Sequence, residues 1–352
     1  MVQRTLWGHT VDLEIPDDVF PSEERLKELD EIFDNPEHGY FPGTFQGKQI
    51  FYRKNLPKDG SSKPKGVIVY QHGIHGQSGH GMKCKDGRYT DVALRIREFT
   101  EAGFAVYAHD FLGHGFSEGT RFLIPSGDWK INRDDTVQFV NTVVMKEQAD
   151  DVPLFLAGDS YGACVTIHAA RWFQDHPEET PKSFHGILLN CPAIHGDLPP
   201  APVVAVLRRL AVLFPSWTPF FMPHPISSER VWKEPEALEY FENLKDGLSL
   251  AGVPFCLGTA LGLLEAIETV QAQAIPGFTI PFSINHGTED YGVPISGSEY
   301  MMDKADTPAE DKALNKIEGA YHNLYTSEDA KDRMNLEMKW IKEQIEKQKQ
   351  ST

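Results

Sequence analysis

A serine with a glycine two positions away on each side is the clearest chemical signal in the sequence. The segment Gly158-Asp159-Ser160-Tyr161-Gly162 follows an apolar run at 153–157 and precedes a helical pattern at 163–173. Between a strand and a helix, this G-x-S-x-G spacing places the serine on a sharp turn, because glycines remove the Cβ atoms that would collide there. We predict that Ser160 is a nucleophile. The alternative interpretation is a glycine-rich turn with an inactive serine.

A serine hydroxyl is a weak nucleophile at neutral pH, so it requires a base and an acid that orients the base. In serine sites of this strand-turn-helix type, the acid and then the histidine follow the serine along the chain. His322 is the last histidine of the sequence and follows a strand-like run at 314–317, and we predict that it is the base. Asp290 lies just after a predicted strand at 281–285 and is the predicted acid, with Glu289 as the competing carboxylate.

Acyl transfer also requires N–H donors that face the developing oxyanion. One predicted donor is the backbone amide of Tyr161, and the other is the amide of Ile74, in the loop after the first core strand. His72 and His75 lie in the same loop and offer a metal-binding alternative. Because no carboxylate accompanies them at ligand spacing, a role in ordering the loop is the favoured interpretation. No metal site is predicted.

The elements that must position these residues are short apolar runs, rich in Val, Ile and Phe, that alternate with helical patterns. This order is typical of a parallel sheet covered by helices, so the predicted fold class is α/β. A run at 45–54 alternates and predicts an antiparallel strand at the sheet edge. The predicted core strands are 67–71, 104–108, 153–157, 186–189 and 281–285, and the predicted helices are 22–33 (capped by Ser22), 91–102, 133–147 and a last helix with an apolar stripe of Met334, Met338, Ile341 and Ile345.

Composition and charge narrow the classes of function. The chain has 352 residues, of which 40% are hydrophobic and 24% charged, as in a globular protein. The net charge of −17 repels phosphate backbones and disfavours nucleic-acid binding. The four cysteines show neither CxxC spacing nor a Cys/His cluster, which disfavours a disulfide framework and a structural zinc site. No apolar stretch typical of a signal peptide or a transmembrane helix occurs, so we expect a cytoplasmic protein, with membrane association as an open alternative.

The sheet pattern is interrupted at 196–276 by an apolar segment with many prolines. We predict a helical cap there, inserted into a core domain of 1–195 and 277–352 whose residues 1–43 form an N-terminal extension. Burying an acyl chain gains about 0.8 kcal/mol per methylene, so an apolar cap is suited to binding a long-chain ester. The same apolar segment is also compatible with peripheral contact with a membrane. The predicted substrate contacts are Phe214, Trp217, Phe220, Phe221 and Leu261.

Five segments together resemble the monoacylglycerol lipases and related lysophospholipases of the α/β-hydrolase superfamily, over residues 44–340. They are His72-Gly73, the segment His109 to Gly119, the G-x-S-x-G turn, Gly287 with Asp290, and Glu318-Gly319-Ala320-Tyr321-His322. The resemblance implies an α/β-hydrolase fold, a triad of Ser160, Asp290 and His322, and an oxyanion hole formed by the amides of Ile74 and Tyr161. Two features depart from the family. Asp159 and Tyr161 stand where the family has histidine and methionine, and the loop gains an insertion at 79–86.

These residues and this resemblance predict a serine ester hydrolase that acts on monoacylglycerol or a similar single-chain lipid ester through an acyl-enzyme on Ser160. No metal or organic cofactor is expected, and the expected partner is the lipid ester substrate. The oligomeric state is left open. The alternatives are a lysophospholipase, thioesterase, peptidase or acyltransferase of the same fold, and a non-catalytic binding protein of that fold.

Overall fold

The structure is a computed structural model that describes residues 2–6, 9–13, 23–61, 63–196, 200–220, 222, 228–244, 248, 250 and 252–351. Its centre is an eight-stranded sheet, and a separate antiparallel hairpin of β1 and β2 precedes it. The strands are β1 (Val2–Leu6), β2 (His9–Leu13), β3 (Glu37–Pro42), β4 (Gln49–Asn55), β5 (Val67–Gln71), β6 (Ala105–His109), β7 (Leu154–Asp159), β8 (Phe184–Asn190), β9 (Phe282–Gly287) and β10 (Lys312–Ile317).

The large sheet has the strand order β10-β9-β8-β7-β5-β6-β4-β3. The six strands from β10 to β6 are parallel, and β4 and β3 continue the sheet in antiparallel pairing. The α/β fold predicted from the sequence is therefore confirmed, and the five predicted core strands lie within a few residues of β5 to β9. Because the carboxyl ends of parallel strands meet at one edge, the loops after β5, β7, β9 and β10 lie on the same side of the molecule.

Helices cover both faces of the sheet. They are α1 (Glu23–Ile32), α2 (Asp91–Glu101), α3 (Lys130–Phe139), α4 (Met145–Glu147), α5 (Tyr161–Asp175), α6 (Ala201–Leu213), α7 (Ser228–Val231), α8 (Pro235–Asn243), α9 (Leu257–Thr269), α10 (Ser296–Lys304) and α11 (Ala330–Ser351). π-helical turns follow α3 at Val140–Val144 and α9 at Val270–Ala274, and 3₁₀ turns occur at Pro125–Gly127 and Ala309–Asp311.

Alternation along β5 shows how the two layers are built. Val67 and Val69 belong to the core cluster that contains residues of α3 and α5, whereas Ile68 and Tyr70 belong to the cluster that contains residues of α2 and α11. Successive strand side chains point to opposite faces, so the sheet separates two apolar cores. In the second core, Met334 and Ile341 are buried, which confirms the packing role predicted for the last helix.

The predictions for the first part of the chain need one correction. The antiparallel strand predicted at 45–54 is present as β4, but it is not the edge of the sheet, because β3 pairs with its outer side. β3 contains Gly39 and Pro42 and is mostly not buried, which is typical of an edge strand and gives a weak sequence signal. The capping residue predicted for α1, Ser22, lies outside the described residues.

Candidate active site

Ser160 occupies a strained turn between β7 and α5. Its backbone has φ 54° and ψ −117°, a conformation that L-residues rarely adopt. The flanking glycines make this turn possible. A Cβ on Gly158 would lie 2.5 Å from the carbonyl oxygen of Gly162, and a Cβ on Gly162 would lie 2.3 Å from that of Gln71. The turn thus packs directly against the end of β5, and it holds Ser160 at the carboxyl edge of the sheet.

His322 and Asp290 lie in the loops after β10 and β9. The Nδ1–H of His322 donates to Oδ2 of Asp290 at 2.7 Å. The other oxygen of Asp290 accepts from the amides of Gly292 at 2.7 Å and Val293 at 2.8 Å. Glu289, the competing carboxylate, is exposed. The structure therefore brings Asp290, and not Glu289, to the imidazole, and this pairing leaves Nε2 of His322 available to accept a proton.

The surroundings of this pair favour a charged acid and a basic imidazole. Burial would raise the pKa of the Asp290 carboxyl, but the nearby His322, a hydrogen bond from His286 and the backbone amides together hold the pKa well below its usual range. Burial lowers the pKa of His322, and the negative charge of Asp290 more than offsets this, so the pKa lies above the ordinary value. The arrangement stabilises an imidazolium.

His286 and Cys191 complete the support of Asp290. The ligand atoms of these three residues lie within 4.8 Å of one another, a spacing that a metal ion accepts. However, Nε2 of His286 already lies 3.2 Å from the Asp290 carboxylate, and its Nδ1 pairs with the hydroxyl of Ser298 at 2.7 Å. The residues are hydrogen-bonded to each other or to their neighbours, so we interpret the group as a second layer that holds the acid.

The loop after β5 lies against Ser160 and contains Ile74. A Cβ on Gly73 would lie 3.5 Å from Cβ of Ser160. His72 orders this loop, because its Nδ1–H donates to the Gly73 carbonyl at 2.7 Å while its Nε2 accepts from the Phe111 amide at 3.0 Å. His114 lies 2.9 Å from the Ile74 carbonyl through its Nε2. These contacts agree with the loop-ordering role predicted for His72.

A cavity of about 920 Å³ joins these residues, and Ser160, His322, Asp290, Ile74 and Tyr161 all border it. Its apolar wall comes from the helices between β8 and β9 and is formed by Leu207, Leu257, Leu261, Leu263, Leu264 and Ile267. The insertion at 79–86 closes another side, where His80 stacks on Phe241 of α8 with ring centroids 4.3 Å apart.

The predicted substrate contacts are only partly on this wall. Leu261 lines the cavity. Phe214 and Phe220 are exposed instead, and Trp217 packs beside Leu257 and Leu261 outside the lining. Phe221 lies outside the described residues. These aromatic side chains come after the end of α6, whereas the side chains that face the cavity are leucines of α6 and α9.

Asp159, which precedes Ser160, belongs to a largely buried polar network that the sequence did not reveal. Its carboxylate accepts from the Tyr70 hydroxyl at 2.7 Å, from Nη1 of Arg95 at 2.8 Å and from Nδ2 of Asn190 at 3.0 Å. Arg95 also pairs with Glu337 of α11 at 3.4 Å. Arg95 and Glu337 both lie on apolar helix faces, three residues after Val92 and Met334, and a charged residue in such a stripe is the sequence signal that could have identified them.

Comparison with known proteins agrees with this architecture. The family model described as serine aminopeptidase, S33, matches residues 62–329. Monoglyceride lipase of Rattus norvegicus is 32% identical over 279 residues, 79% of this chain and 81% of the relative. Caffeoylshikimate esterase of Arabidopsis thaliana is 30% identical over 312 residues, 86% of this chain and 85% of the relative.

Solved structures share the fold at lower sequence identity. A soluble variant of monoglyceride lipase from Saccharomyces cerevisiae, in complex with a substrate analog, superposes with a TM-score of 0.66 at 18% identity and covers 88% of this chain and 96% of that chain. The monoacylglycerol lipase of Paleococcus ferrophilus gives a TM-score of 0.65 at 19% identity, with 84% and 99% covered.

Proposed function

Since the chain belongs to the serine aminopeptidase S33 family of α/β-hydrolases and is a carboxylic ester hydrolase, we propose that it cleaves monoacylglycerol or a similar single-chain lipid ester through an acyl-enzyme on Ser160. One observation carries the proposal. The imidazole of His322, oriented by Asp290 at 2.7 Å, borders the same cavity as the strained Ser160. That combination supports a base that faces the same cavity as the serine hydroxyl.

In the first half of the reaction, Oγ of Ser160 attacks the acyl carbonyl carbon, and Nε2 of His322 accepts the hydroxyl proton. The carbonyl oxygen becomes an anion that the amides of Ile74 and Tyr161 stabilise. When the tetrahedral intermediate collapses, the bond to the alcohol oxygen breaks and His322 returns the proton to that oxygen. Asp290 stays ionised and stabilises the imidazolium.

In the second half, water attacks the acyl-enzyme and His322 accepts one proton from it. Collapse of the second tetrahedral intermediate breaks the bond to Oγ, and the proton returns to Ser160. The products are a carboxylic acid and free enzyme. The reaction as proposed needs no group beyond the side chains and amides of this chain.

The segment 196–276 serves, in this proposal, as a cap over the acyl chain, with 1–195 and 277–352 as the core. Helices α6 to α9 lie between β8 and β9, and α6 and α9 supply the apolar cavity wall. Each methylene buried there contributes about 0.8 kcal/mol, which favours a long acyl chain over a short one.

Peripheral membrane contact through this cap is part of the proposal. Val206, Leu213 and Phe220 are 54%, 68% and 72% exposed, and such an apolar surface suits a lipid interface. Within the described part of the chain, none of the helices combines the length and the continuous apolar character that a membrane span requires. We expect binding to neutral phosphatidylcholine vesicles that decreases when Val206 and Leu213 are both changed to serine. Unchanged sedimentation of this variant with vesicles would refute the contact.

The proposed reaction is tested by covalent labelling and hydrolysis. A fluorophosphonate probe should label the wild-type protein but not the Ser160→Ala variant, and only the wild type should release fatty acid from a 1-acylglycerol. A series of acyl chain lengths with glycerol and phosphocholine head groups distinguishes a monoacylglycerol lipase from a lysophospholipase. A folded wild-type protein that is neither labelled nor active would contradict the proposal.

A further inference from the structure

The cavity wall beside the nucleophile carries a fixed negative charge. Asp159 borders the cavity, and its side chain is 29% exposed. Three donors hold the carboxylate: Tyr70 and Arg95 at 2.7 and 2.8 Å, and Asn190 at 3.0 Å. Because Tyr70 binds one oxygen while Arg95 and Asn190 bind the other, the orientation of the carboxylate at the cavity is fixed. A molecule bound at Ser160 therefore meets this charge.

Arg95, the cation that pairs with Asp159, also pairs with a second carboxylate, so it does not cancel the negative charge at the cavity wall. Arg95 is 3% exposed and contacts Glu337, which is 1% exposed, as well as Asp159. Glu337 in turn accepts from the Tyr325 hydroxyl at 2.7 Å and from Asn190 at 3.0 Å. The Arg95 guanidinium thus pairs with two carboxylates, and the group of Arg95, Asp159 and Glu337 has a formal charge of −1.

A second carboxylate borders the same part of the cavity. Asp91 is buried and has φ 52°, and its amide donates to the Tyr325 carbonyl at 3.1 Å. Burial, with a further contribution from the charge of Asp159, raises the pKa of Asp91 to about 7. Among the described residues that line the cavity, Arg230 is the one lysine or arginine, and it is exposed, so solvent screens its charge.

We propose that Asp159 is a specificity-determining residue, a fixed carboxylate beside Ser160 that selects esters with an uncharged or cationic alcohol part and rejects esters with an anionic one. The inference rests on the proposed function and narrows its substrate class by excluding esters whose alcohol part is anionic. Like charges forced together in a cleft of low dielectric repel strongly. A phosphate or carboxylate on the leaving alcohol would experience this repulsion.

The test uses two chromogenic esters of the same medium-length acid, one with 4-hydroxybenzamide and one with 4-hydroxybenzoate. These alcohols have nearly the same shape and differ in charge. A like charge about 8 Å away at an effective dielectric constant of about 20 changes a rate ratio about thirtyfold, and salt with a Debye length of about 10 Å reduces this to about fivefold. We expect the ratio of kcat/KM for the neutral over the anionic ester to fall about fivefold in Asp159→Asn. Differences in intrinsic reactivity cancel in this comparison.

Tyr70→Phe is the matched control, because it removes one hydrogen bond to Asp159 and leaves the charge. Its ratio should stay within about twofold of the wild type. If Asp159→Asn does not fold, salt provides the second measurement, since raising the salt concentration should narrow the preference of the wild type.

Three results would overturn the inference: equal ratios in wild type and Asp159→Asn, an equal fall in Tyr70→Phe, or no effect of salt on the wild type. Failure of the proposed function is distinguishable, because it would appear as absence of hydrolysis of the neutral ester, which would also remove this inference.

Discussion

The buried contact between Arg95 and Glu337 makes a quantitative prediction about stability. Both side chains are almost fully buried, and α2 and α11 present them to each other at 3.4 Å. Arg95→Met leaves the Glu337 carboxylate buried without its cation, which costs about 3 to 5 kcal/mol of unfolding free energy. Glu337→Gln removes the charge but keeps an oxygen for Tyr325, so it should cost about 1 to 2 kcal/mol.

The double variant measures the coupling between Arg95 and Glu337. The variant with both Arg95→Met and Glu337→Gln has neither the buried cation nor the second buried anion. Its loss of unfolding free energy should therefore be about 2 kcal/mol smaller than the sum of the losses in the two single variants. Urea unfolding followed by circular dichroism and by tryptophan fluorescence measures these values, and coincident curves verify a two-state transition.

Lys331→Met is the control, because Lys331 pairs with Glu98 at 2.9 Å between the same two helices but is 65% exposed. It should change stability little. Additive single variants, or a loss in Arg95→Met no larger than in the control, would refute the electrostatic account of the network.

Three further predictions concern the proposed chemistry. Ser160→Ala and His322→Ala should each lower kcat by about four to six orders of magnitude, with little further loss in the double variant; additive losses would contradict a shared relay. Asp290→Asn should lower kcat by about four orders of magnitude, while Glu289→Gln, at an exposed position, should change it by less than about threefold; similar effects of the two would place the acid elsewhere. Burial opposes protonation of His322 but Asp290 promotes it more, so the pKa is raised. Activity requires the neutral imidazole, and kcat/KM should therefore rise with pH through an apparent pKa above about 6.5, whereas a midpoint below that value would refute the raised pKa.

The same shift has a defined sign for stability. A raised folded-state pKa means that protonated His322 stabilises the fold fully below its unfolded pKa of about 6.5. This contribution disappears as the pH rises through the folded value. The lowered pKa of Asp290 acts in the opposite range, since its contribution is present above about pH 4 and is lost as the pH falls.

Much of the fold is readable from the sequence because the buried strands are continuous apolar runs bounded by glycines and polar residues. β5 is the clearest case, with five buried residues in a row. β3 was missed because an edge strand needs little apolar character and tolerates proline. The position of Ser160 follows from local geometry alone, since the two glycines and the strand before them define the turn.

Long-range pairings could not be predicted in the same way. Helical periodicity marks Arg95 and Glu337 as buried, but 242 residues separate them, and only the packing of α2 against α11 makes them partners. The same reason explains why Phe214 and Phe220 were predicted as substrate contacts although they are exposed and lie outside the cavity wall. The aromatic content of the segment is evident, yet the face that points inward depends on how α6 meets α9.

The link from α11 to the turn at Ser160 has a consequence for synthesis of the chain on the ribosome. The proposed nucleophile Ser160 is synthesised long before His322 and Glu337, so the elongating polypeptide contains this serine without its proposed base and without Glu337. Docking of α11 then both closes the second core and completes the support of Asp159. Hydrolytic activity should accordingly appear only after α11 has been synthesised and has docked. Deletions or bulky fusions that prevent this helix from docking should abolish activity even when Ser160, Asp290 and His322 are all present.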